Sequence, residues 1–183
     1  MLKKMRGFTL IELLIVVAII GILAALLIPN AMTAMQKAKQ KATMKDVTTI
    51  GTALTDYLTD NGTSFDGQGG VYTQGSPFYR SICPFYLVTL PVNDAWGNGY
   101  EVYTRGLASG VSGAAYFPVA AFRNDEFLVR SLGRDNAEGP NLNYSPTLPD
   151  RGFYVVNDMG DFENDLVMWN GSWIVGPTTR ALT

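Results

Sequence analysis

The segment "GFTLIELLIVVAIIGILAALLIPN", residues 7–30, decides the fold of this chain. Residues 8–28 are apolar except for Thr9, Glu12 and Gly21. As an α-helix, which rises ~1.5 Å per residue, this run would extend about 31 Å, the thickness of the hydrocarbon core of a bilayer. The apolar core of a cleaved secretory signal is only ~7 to 15 residues long. The segment therefore predicts a membrane-spanning helix.

Glu12 is unexpected in such a helix, because a carboxylate at the bilayer centre costs about 2.5 to 3.5 kcal/mol. We therefore expect Glu12 to have a partner or a task. Basic residues flank the span on both sides, with Lys3, Lys4 and Arg6 before it and four lysines within 37–45 after it. Since Lys and Arg favour the cytoplasmic side, this near balance leaves the orientation undecided by charge.

The composition excludes several classes of function. The 183 residues include no His and a single Cys, Cys83, which excludes zinc sites, His-based acid–base catalysis and an intramolecular disulfide. Residues 46–183 hold fifteen acids against seven Arg and no Lys. Because Lys and Arg supply most of the affinity for nucleic acid, an acidic domain of this kind binds it poorly. We expect one globular domain with an N-terminal extension and no nucleic-acid partner.

The apolar pattern changes after Pro29. Apolar residues then recur at steps of three and four, which predicts an amphipathic continuation of the helix over 29–60. Asn61 and Gly62 supply the left-handed cap that ends helices. Residues 61–80 are rich in Gly, Ser and Thr and are predicted to form a long loop.

Short segments rich in β-branched and aromatic residues fill the remainder, residues 61–183, which we expect to form a head domain. The predicted strands are 84–90, 99–104, 114–122, 126–132, 152–158, 165–169 and 172–176. Asn170-Gly171 predicts a tight hairpin between the last two strands. The expected fold class is α+β, with a long N-terminal helix and an antiparallel sheet packed on its second half.

The motif G-F-T-L-I-E, in which Glu12 follows Gly7 by five residues, resembles the signal of type IV pilins and of the pseudopilins of type II secretion. The resemblance implies that a prepilin peptidase removes residues 1–7 by cutting after Gly7 and methylates the new N-terminus, Phe8. Residues 8–28 would then serve as membrane anchor and as filament core. Glu12 would pair with the Phe8 amine of the same or a neighbouring subunit, because an unpaired charge is costly in a low-dielectric environment.

Two further features of the helix bear on assembly. Gly21 and Pro29 weaken it, since Gly adds unfolded-state entropy and Pro removes a backbone donor. Related filaments have a locally melted helix between such positions, and the alternative is a mild kink in a continuous helix. Lys37, Lys41 and Lys45 share one face, which either contacts acidic heads or anionic lipid or is simply solvated.

Two stretches of the head narrow the resemblance to the major pseudopilin of type II secretion. One is "LPVNDAWGNGYEVY" (90–103), and the other combines "FLVRSLGRDN" (127–136) with "NDLVMWNG" (164–171). In that family a calcium-binding loop replaces the disulfide that closes the C-terminal loop of many pilins. The missing Cys pair agrees with this resemblance.

The resemblance implies a calcium ion in this loop. The expected ligands are the side chains of Asp135 and Asp165 and the carbonyl of Leu132, with Asp161 and Glu163 as additional candidates. Calcium suits such a set because it takes carboxylate and carbonyl oxygens. The chain departs from the family at residues 137–160, where a longer insertion, expected to add a hairpin, replaces a short Gly-rich segment, and the acids lack EF-hand spacing.

The resemblance implies a non-enzymatic pseudopilin, anchored in the bacterial inner membrane with its head in the periplasm, that polymerises into a periplasmic pseudopilus driving protein secretion. The partners that the resemblance implies are other copies of the chain, the prepilin peptidase, minor pseudopilins and an assembly platform. The ATPase would be a separate protein, because this chain has no G-x-x-x-x-G-K-[ST] loop.

Three alternatives stay open at this point. The first is a pilin of a surface type IV pilus, which would serve adhesion, motility or DNA uptake. The second is a membrane-anchored periplasmic module that never polymerises. The third is an Asp-based enzyme using acids within 158–165, for which no accompanying base or nucleophile is visible.

Overall fold

A computed structural model describes residues 8–104, 123–139 and 152–178 of the chain. The chain divides into two compact units, Met1–Gln36 and Lys37–Thr183, which we call the N-terminal unit and the head. Helix α1 (Leu10–Asn61) contributes residues to both units. This long helix, followed by a mainly antiparallel sheet, confirms the predicted α+β class.

The N-terminal unit exposes the apolar surface expected of a membrane span. Its large apolar side chains between Phe8 and Ile28 are 45 to 81% exposed. The helix is long and apolar enough to cross a membrane. It continues through Pro29, and the side-chain amide of Asn30 donates to the Leu26 carbonyl at 3.2 Å.

Six strands form the sheet in the described part of the head. They are β1 (Gly69–Val71), β2 (Glu101–Thr104), β3 (Phe127–Ser131), β4 (Phe153–Tyr154), β5 (Leu166–Trp169) and β6 (Ser172–Pro177). Their spatial order is β1-β2-β3-β5-β6-β4, and neighbours are antiparallel except for β4, which lies parallel to β6. Helix α2 (Pro77–Ile82) precedes β2, and a 3₁₀ helix spans Gly160–Glu163.

The core of the head lies between α1 and the sheet. The predicted apolar face of α1 is confirmed, because Val47, Ile50 and Leu54 are buried there against Val129 and neighbouring strand residues. Each fully buried aliphatic side chain stabilises the fold by about 1.5 to 3 kcal/mol relative to exposure. α1 ends at Asn61, as predicted.

The hairpin predicted at Asn170-Gly171 is confirmed. These two residues have φ of 45° and 79°, and they join β5 to β6. Positive φ at both central positions is the type I′ geometry, whose twist matches that of the flanking strands. The strands predicted at 99–104, 126–132, 165–169 and 172–176 are also present, with ends shifted by one or two residues.

The strand predicted at 84–90 is wrong, and so is the uninterrupted loop predicted over 61–80. Strand β1 and the start of α2 fall inside that loop, and turns follow α2. The cause is a helix start: Oγ of Ser76 accepts the N–H of Tyr79 at 3.2 Å, and Pro77 occupies the first helical position. Both features favour a helix N-terminus over a strand.

Three other sequence predictions involve segments that lie partly or wholly outside the described residues. Of the strand predicted at 152–158, only β4 forms, and it pairs with β6. The strand predicted at 114–122 lies outside the described residues, as does most of the hairpin expected in the 137–160 insertion.

Candidate functional site

The first turn of α1 carries a reciprocal cap built from Thr9 and Glu12. The backbone N–H and the hydroxyl of Thr9 donate to Oε2 of Glu12 at 2.8 and 2.6 Å. In return, the backbone N–H of Glu12 donates to Oγ1 of Thr9 at 3.3 Å. This arrangement is a capping box, in which an N-cap Thr and a Glu three residues later satisfy otherwise unpaired donors. Glu12 therefore has a task within its own chain.

The other predicted N-terminal residues are placed as follows. Gly7, the predicted cleavage position, lies outside the described residues, and Phe8 precedes the helix with an exposed side chain. Gly21 and Pro29 both lie inside α1, which is continuous between them. Cleavage, methylation, the pairing of Glu12 with an amine and the roles of Gly21 and Pro29 in assembly stay predictions.

In the head, a hydrogen-bond network joins the two stretches that carry the resemblance. Oδ1 of the buried Asp94 accepts the backbone N–H groups of Trp96 and Asn98, both at 2.9 Å. Its Oδ2 accepts the hydroxyl of Ser131 at 2.8 Å. The side-chain amide of Asn98 donates to the Gly133 carbonyl at 2.7 Å. The turn at 94–98 thus fixes the end of β3 and the residues after it.

The same turn is fastened to α1. The backbone N–H of Ala95 donates to Oγ1 of Thr43 at 3.2 Å, and the hydroxyl of Tyr100 donates to Oδ2 of Asp46 at 3.1 Å. Burial and the Asp46 carboxylate raise the pKa of Tyr100, so this hydroxyl stays a donor at physiological pH. The loop after β3 is therefore tied, through the turn, to the helix of the head.

Gly133 occupies a position that a side chain could not share. Its φ is +69°, and a Cβ there would lie 2.8 to 3.0 Å from the carbonyl oxygens of Phe162, Glu163 and Asn164. The backbone N–H of Arg134 donates to the Phe162 carbonyl at 2.9 Å. Three carbonyl oxygens of the segment before Asp165 therefore converge on this glycine.

Asp165 is the second buried carboxylate of the site, with 2% of its surface exposed. Its Oδ1 accepts the backbone N–H of Gly139 at 3.3 Å, whereas Oδ2 is buried without a hydrogen-bond partner among the described residues. Burial raises the pKa of Asp165 to about 7, although Arg130 and the Gly139 N–H act in the opposite direction. A cation or a proton at Oδ2 would relieve this cost.

Arg130, whose positive charge acts to lower the pKa of Asp165, is bonded to other groups. Its Nε donates to Oε2 of Glu101 at 2.7 Å, and its Nη1 lies 3.0 Å from Oε1 of Glu138. Its Nη2 also contacts the hydroxyl of Tyr103 at 3.4 Å. With its guanidinium shared among these groups, Arg130 leaves Oδ2 of Asp165 without a hydrogen bond.

The remaining predicted ligands have other contacts. Asp135 is exposed and accepts the backbone N–H two residues further on, while Asp161 accepts two N–H groups of the preceding turn. Glu163 forms an ion pair with Arg134. Within residues 8–104, 123–139 and 152–178, no three acidic or Cys side chains come together as a metal-binding group. The predicted acids are therefore not assembled into one carboxylate cluster.

The oxygen donors of this loop nevertheless fit the chemistry of calcium. Calcium takes six to eight oxygens, and backbone carbonyls can supply several of them. The donors of this kind are the buried Oδ2 of Asp165, which has no hydrogen-bond partner within the described ranges, the carbonyl of the half-buried Leu132, and the carbonyls that converge on Gly133.

Sequence reasoning assigned no role to Thr9, and it treated Asp94 and Asn98 only as part of the family pattern within 90–103. The T-x-x-E spacing at residues 9–12 is a capping-box signal that could have revealed the role of Thr9. Asp followed by a Gly-containing turn marks 94–98 as a tight turn. Nothing in the local sequence indicates that Asp94 bonds a residue 37 positions away.

Comparison with known proteins gives a family assignment. A family model described as a prokaryotic N-terminal methylation motif matches residues 2–28. The type II secretion system core protein G of Pseudomonas aeruginosa is 36% identical over 143 residues, which cover 75% of this chain and 89% of the relative. The proteins of that name from Vibrio cholerae and Escherichia coli are 36% and 34% identical over 113 and 109 residues, covering 57% and 56% of this chain and 77% and 74% of each relative. No solved structure matches the chain.

Proposed function

The chain belongs to the family of type II secretion system core protein G, the pseudopilins, and from this premise we propose that it is a structural subunit that polymerises through α1 into a periplasmic pseudopilus. The observation that carries the proposal is the surface of residues 8–28, whose apolar side chains are exposed on every side of a single chain. Such a helix needs lipid or other helices around it. Lipid covers it before assembly, and other copies cover it in the filament.

Processing gives Glu12 a second task. Removal of residues 1–7 would leave a positive amine at Phe8, next to the N-terminus of α1, where the helix dipole disfavours positive charge. The Glu12 carboxylate, already held at this end by Thr9, offsets that charge in its own chain or in a neighbouring subunit. The pairing would favour one axial register between packed helices.

The proposed setting follows from the family. The anchor lies in the inner membrane with the head in the periplasm, and the partners are the prepilin peptidase, minor pseudopilins and an assembly platform with its own ATPase. The comparisons favour secretion over a surface pilus, because the relatives carry the name of a secretion component. The same membership supports a structural rather than an enzymatic role.

The first experiment locates and weighs the protein at native expression. Immunoblots compare fibres sheared from the cell surface with the washed envelope, and mass spectrometry determines the N-terminus. We expect an envelope-retained chain that begins at N-methylated Phe8. Recovery mainly in long surface fibres would instead make it a pilin, and an envelope form that still carries residues 1–7 would make it a simple anchor.

A matched pair of variants tests assembly. Glu12→Ala removes the counter-ion and the two hydrogen bonds that its carboxylate accepts from Thr9. Thr9→Val removes the two hydrogen bonds of the Thr9 hydroxyl and keeps the carboxylate. If Glu12 serves assembly, secretion fails in Glu12→Ala and persists in Thr9→Val. Equal secretion by both variants would contradict the assembly role.

We also propose that the head binds calcium through the Leu132 carbonyl and the carboxylates of Asp135 and Asp165. Bound calcium would supply positive charge beside the buried carboxylate and tie the 131–135 loop to the segment before β5. Thermal unfolding of the detergent-solubilised chain in calcium and in EDTA tests this. We expect calcium to raise the midpoint for the wild type and for Asp125→Asn, an exposed control, but not for Asp165→Asn. Equal midpoints of the wild type with and without calcium would refute it.

A further inference from the structure

A groove of about 480 Å³ opens on the head between α1 and the ends of β4 and β6. Its apolar part is formed by Met44, Val155, Val156 and Pro177, and its polar part includes two lysines. Half-buried valines beside an open groove are surface that water solvates poorly, so burial against an apolar partner would be favourable.

The lysines that line the groove are Lys37 and Lys41. Both are exposed, and they lie on one face of α1, one turn apart. Among the described residues, every salt bridge uses an arginine, so neither lysine is paired there. The groove thus combines an apolar floor with positive charge, and it fits an apolar segment that carries negative charge beside it.

A segment of that kind lies on the same head. Phe85 and Val88, in the turns after α2, are 81% and 84% exposed. Between them, Tyr86 packs its ring against Tyr57 at 5.5 Å, and its hydroxyl accepts the side-chain amide of Asn61 at 3.2 Å. The Phe85–Val88 loop is therefore anchored at the C-terminal end of α1 with two apolar side chains projecting into solvent.

The end of α1 that anchors this loop carries negative charge. Asp60 is exposed and directly precedes Asn61, whose side-chain amide donates to the Tyr86 hydroxyl of the loop. Asp56, one turn earlier on α1, is also exposed. Neither acid forms a salt bridge with a described residue. Loop and groove are therefore complementary in both polarity and charge.

Loop and groove cannot meet within one head. Lys41 and Tyr57 are separated by about 24 Å along α1, at ~1.5 Å per residue. Two different, complementary patches on one molecule make a heterologous contact, which leaves a free patch at each end and extends into an open chain of copies. A second copy is therefore the occupant that this pair of surfaces fits.

We propose that the Phe85–Val88 loop of one subunit seats in the Lys37–Pro177 groove of another, with Asp60 of the first beside Lys41 of the second. This inference rests on the proposed function, since it names the head surfaces that meet when α1 polymerises. It makes the heads, and not only the apolar helices, contribute to the order of the filament.

Cysteine cross-linking in membranes of cells that express the full chain tests the contact. In a Cys83→Ser background, Phe85→Cys and Val156→Cys are combined and oxidised. Because each copy then carries one cysteine on each patch, we expect a ladder of dimers, trimers and larger species. The matched control replaces Phe85→Cys by Val71→Cys, which is 57% exposed elsewhere on the head. An equal ladder from the control, or none from the first pair, would overturn the proposal.

A charge swap between Asp60 and Lys41 tests the same contact through its proposed ion pair, with the yield of the cross-linked ladder as the measurement. Lys41→Glu and Asp60→Lys should each lower the yield of the ladder about threefold, as loss of one partly exposed ion pair predicts, and their combination should restore it. Failure of the double variant to exceed the two single ones would refute the pairing of Asp60 with Lys41.

Two controls separate this inference from the proposed function. A single Val16→Cys reports packing of the membrane helices, independently of the heads. Val16→Cys dimers without a loop–groove ladder would overturn only the head contact, whereas absence of both would contradict polymerisation itself. If Lys41→Gln instead weakens association with phosphatidylglycerol vesicles and the ladder is absent, the groove binds lipid and the proposal is wrong.

Discussion

Gly133→Ala is the substitution for which the structure gives the sharpest expectation. Gly133 has φ of +69°, a left-handed conformation that costs an L-residue about 1 to 2 kcal/mol. The new Cβ would also lie 2.8 to 3.0 Å from three backbone carbonyl oxygens, which is closer than van der Waals contact allows. Because these oxygens belong to the main chain around the 3₁₀ helix, relief requires the segment before β5 to move.

Gly62→Ala provides a matched control. Gly62 has the same φ of +69°, but a Cβ there would meet nothing within 4 Å. The conformational cost and the entropy that Ala removes from the unfolded chain are therefore common to both variants. The difference between the two variants in the free energy of unfolding therefore isolates the clash. Overpacking typically costs about 1 to 3 kcal/mol.

The assay is thermal unfolding of the detergent-solubilised chain, followed by tryptophan fluorescence. For a domain of this size, 1 kcal/mol lowers the midpoint by roughly 3 °C, so we expect a loss of about 3 to 6 °C for Gly62→Ala and about 6 to 15 °C for Gly133→Ala. Equal midpoints for the two variants would show that the three carbonyl groups can move away from the new Cβ at little cost. That result would refute the view that they hold Gly133 rigidly.

Three further predictions concern the hydrogen bonds of the two sites. Asp94→Ala should destabilise the head by about 3 kcal/mol or more, since it removes the acceptor of three hydrogen bonds, while Asp94→Asn should retain about half of that stability in the same unfolding assay. Thr9→Val should speed amide exchange of the first turn of α1 about fivefold in detergent, because an N-cap contributes ~1 kcal/mol. In EDTA, the raised pKa of Asp165, about 7 against about 3.9 when unfolded, should make the contribution of this residue to stability largest below pH 4 and smaller by up to about 4 kcal/mol once the pH has risen through 7. Asp165→Asn should flatten this dependence, and an unchanged pH profile would contradict the burial argument.

The elements that the sequence predicted well are those whose signals are local. A run of apolar residues, a three- and four-residue periodicity and an Asn-Gly cap together fix the extent of α1. The hairpin between β5 and β6 follows from two residues that tolerate positive φ. In both cases the deciding interaction lies within a few residues of the signal.

The region between α1 and β2 was predicted poorly, because two local preferences compete there. Phe85, Tyr86 and Val88 favour a strand by propensity, yet the Ser76–Pro77 start places a helix before them. The chain then turns, and the exposure of Phe85 and Val88 shows that no sheet partner covers them within the described residues. Propensity alone could not show that these apolar residues remain outside the core.

The candidate site in the head was predictable in its location but not in its geometry. Sequence comparison by motif brought the stretches at 90–103 and 127–136 together as one family pattern. Their physical link, from Asp94 to Ser131 and from Asn98 to Gly133, depends on tertiary contacts across more than 30 residues. The ion pair between Glu163 and Arg134 is likewise a tertiary contact. The spacing of acids in the sequence therefore could not show whether Glu163 is available as a metal ligand.

Glu12 and Asp165 pose the same physical problem in the two units of this chain. Asp165 is shielded from water because it is packed inside the head. Under the proposed function, Glu12 is shielded from water because α1 is inserted in the membrane. Among the residues that the structure describes, Glu12 accepts hydrogen bonds from Thr9, and Asp165 accepts one from the Gly139 N–H. Because desolvated carboxylates are costly without positive charge, we propose that a cationic group from outside completes each site, an amine of another copy at Glu12 and a metal ion at Asp165. Under the proposed function, the single chain is therefore incomplete in both units, and assembly in the presence of calcium would complete it.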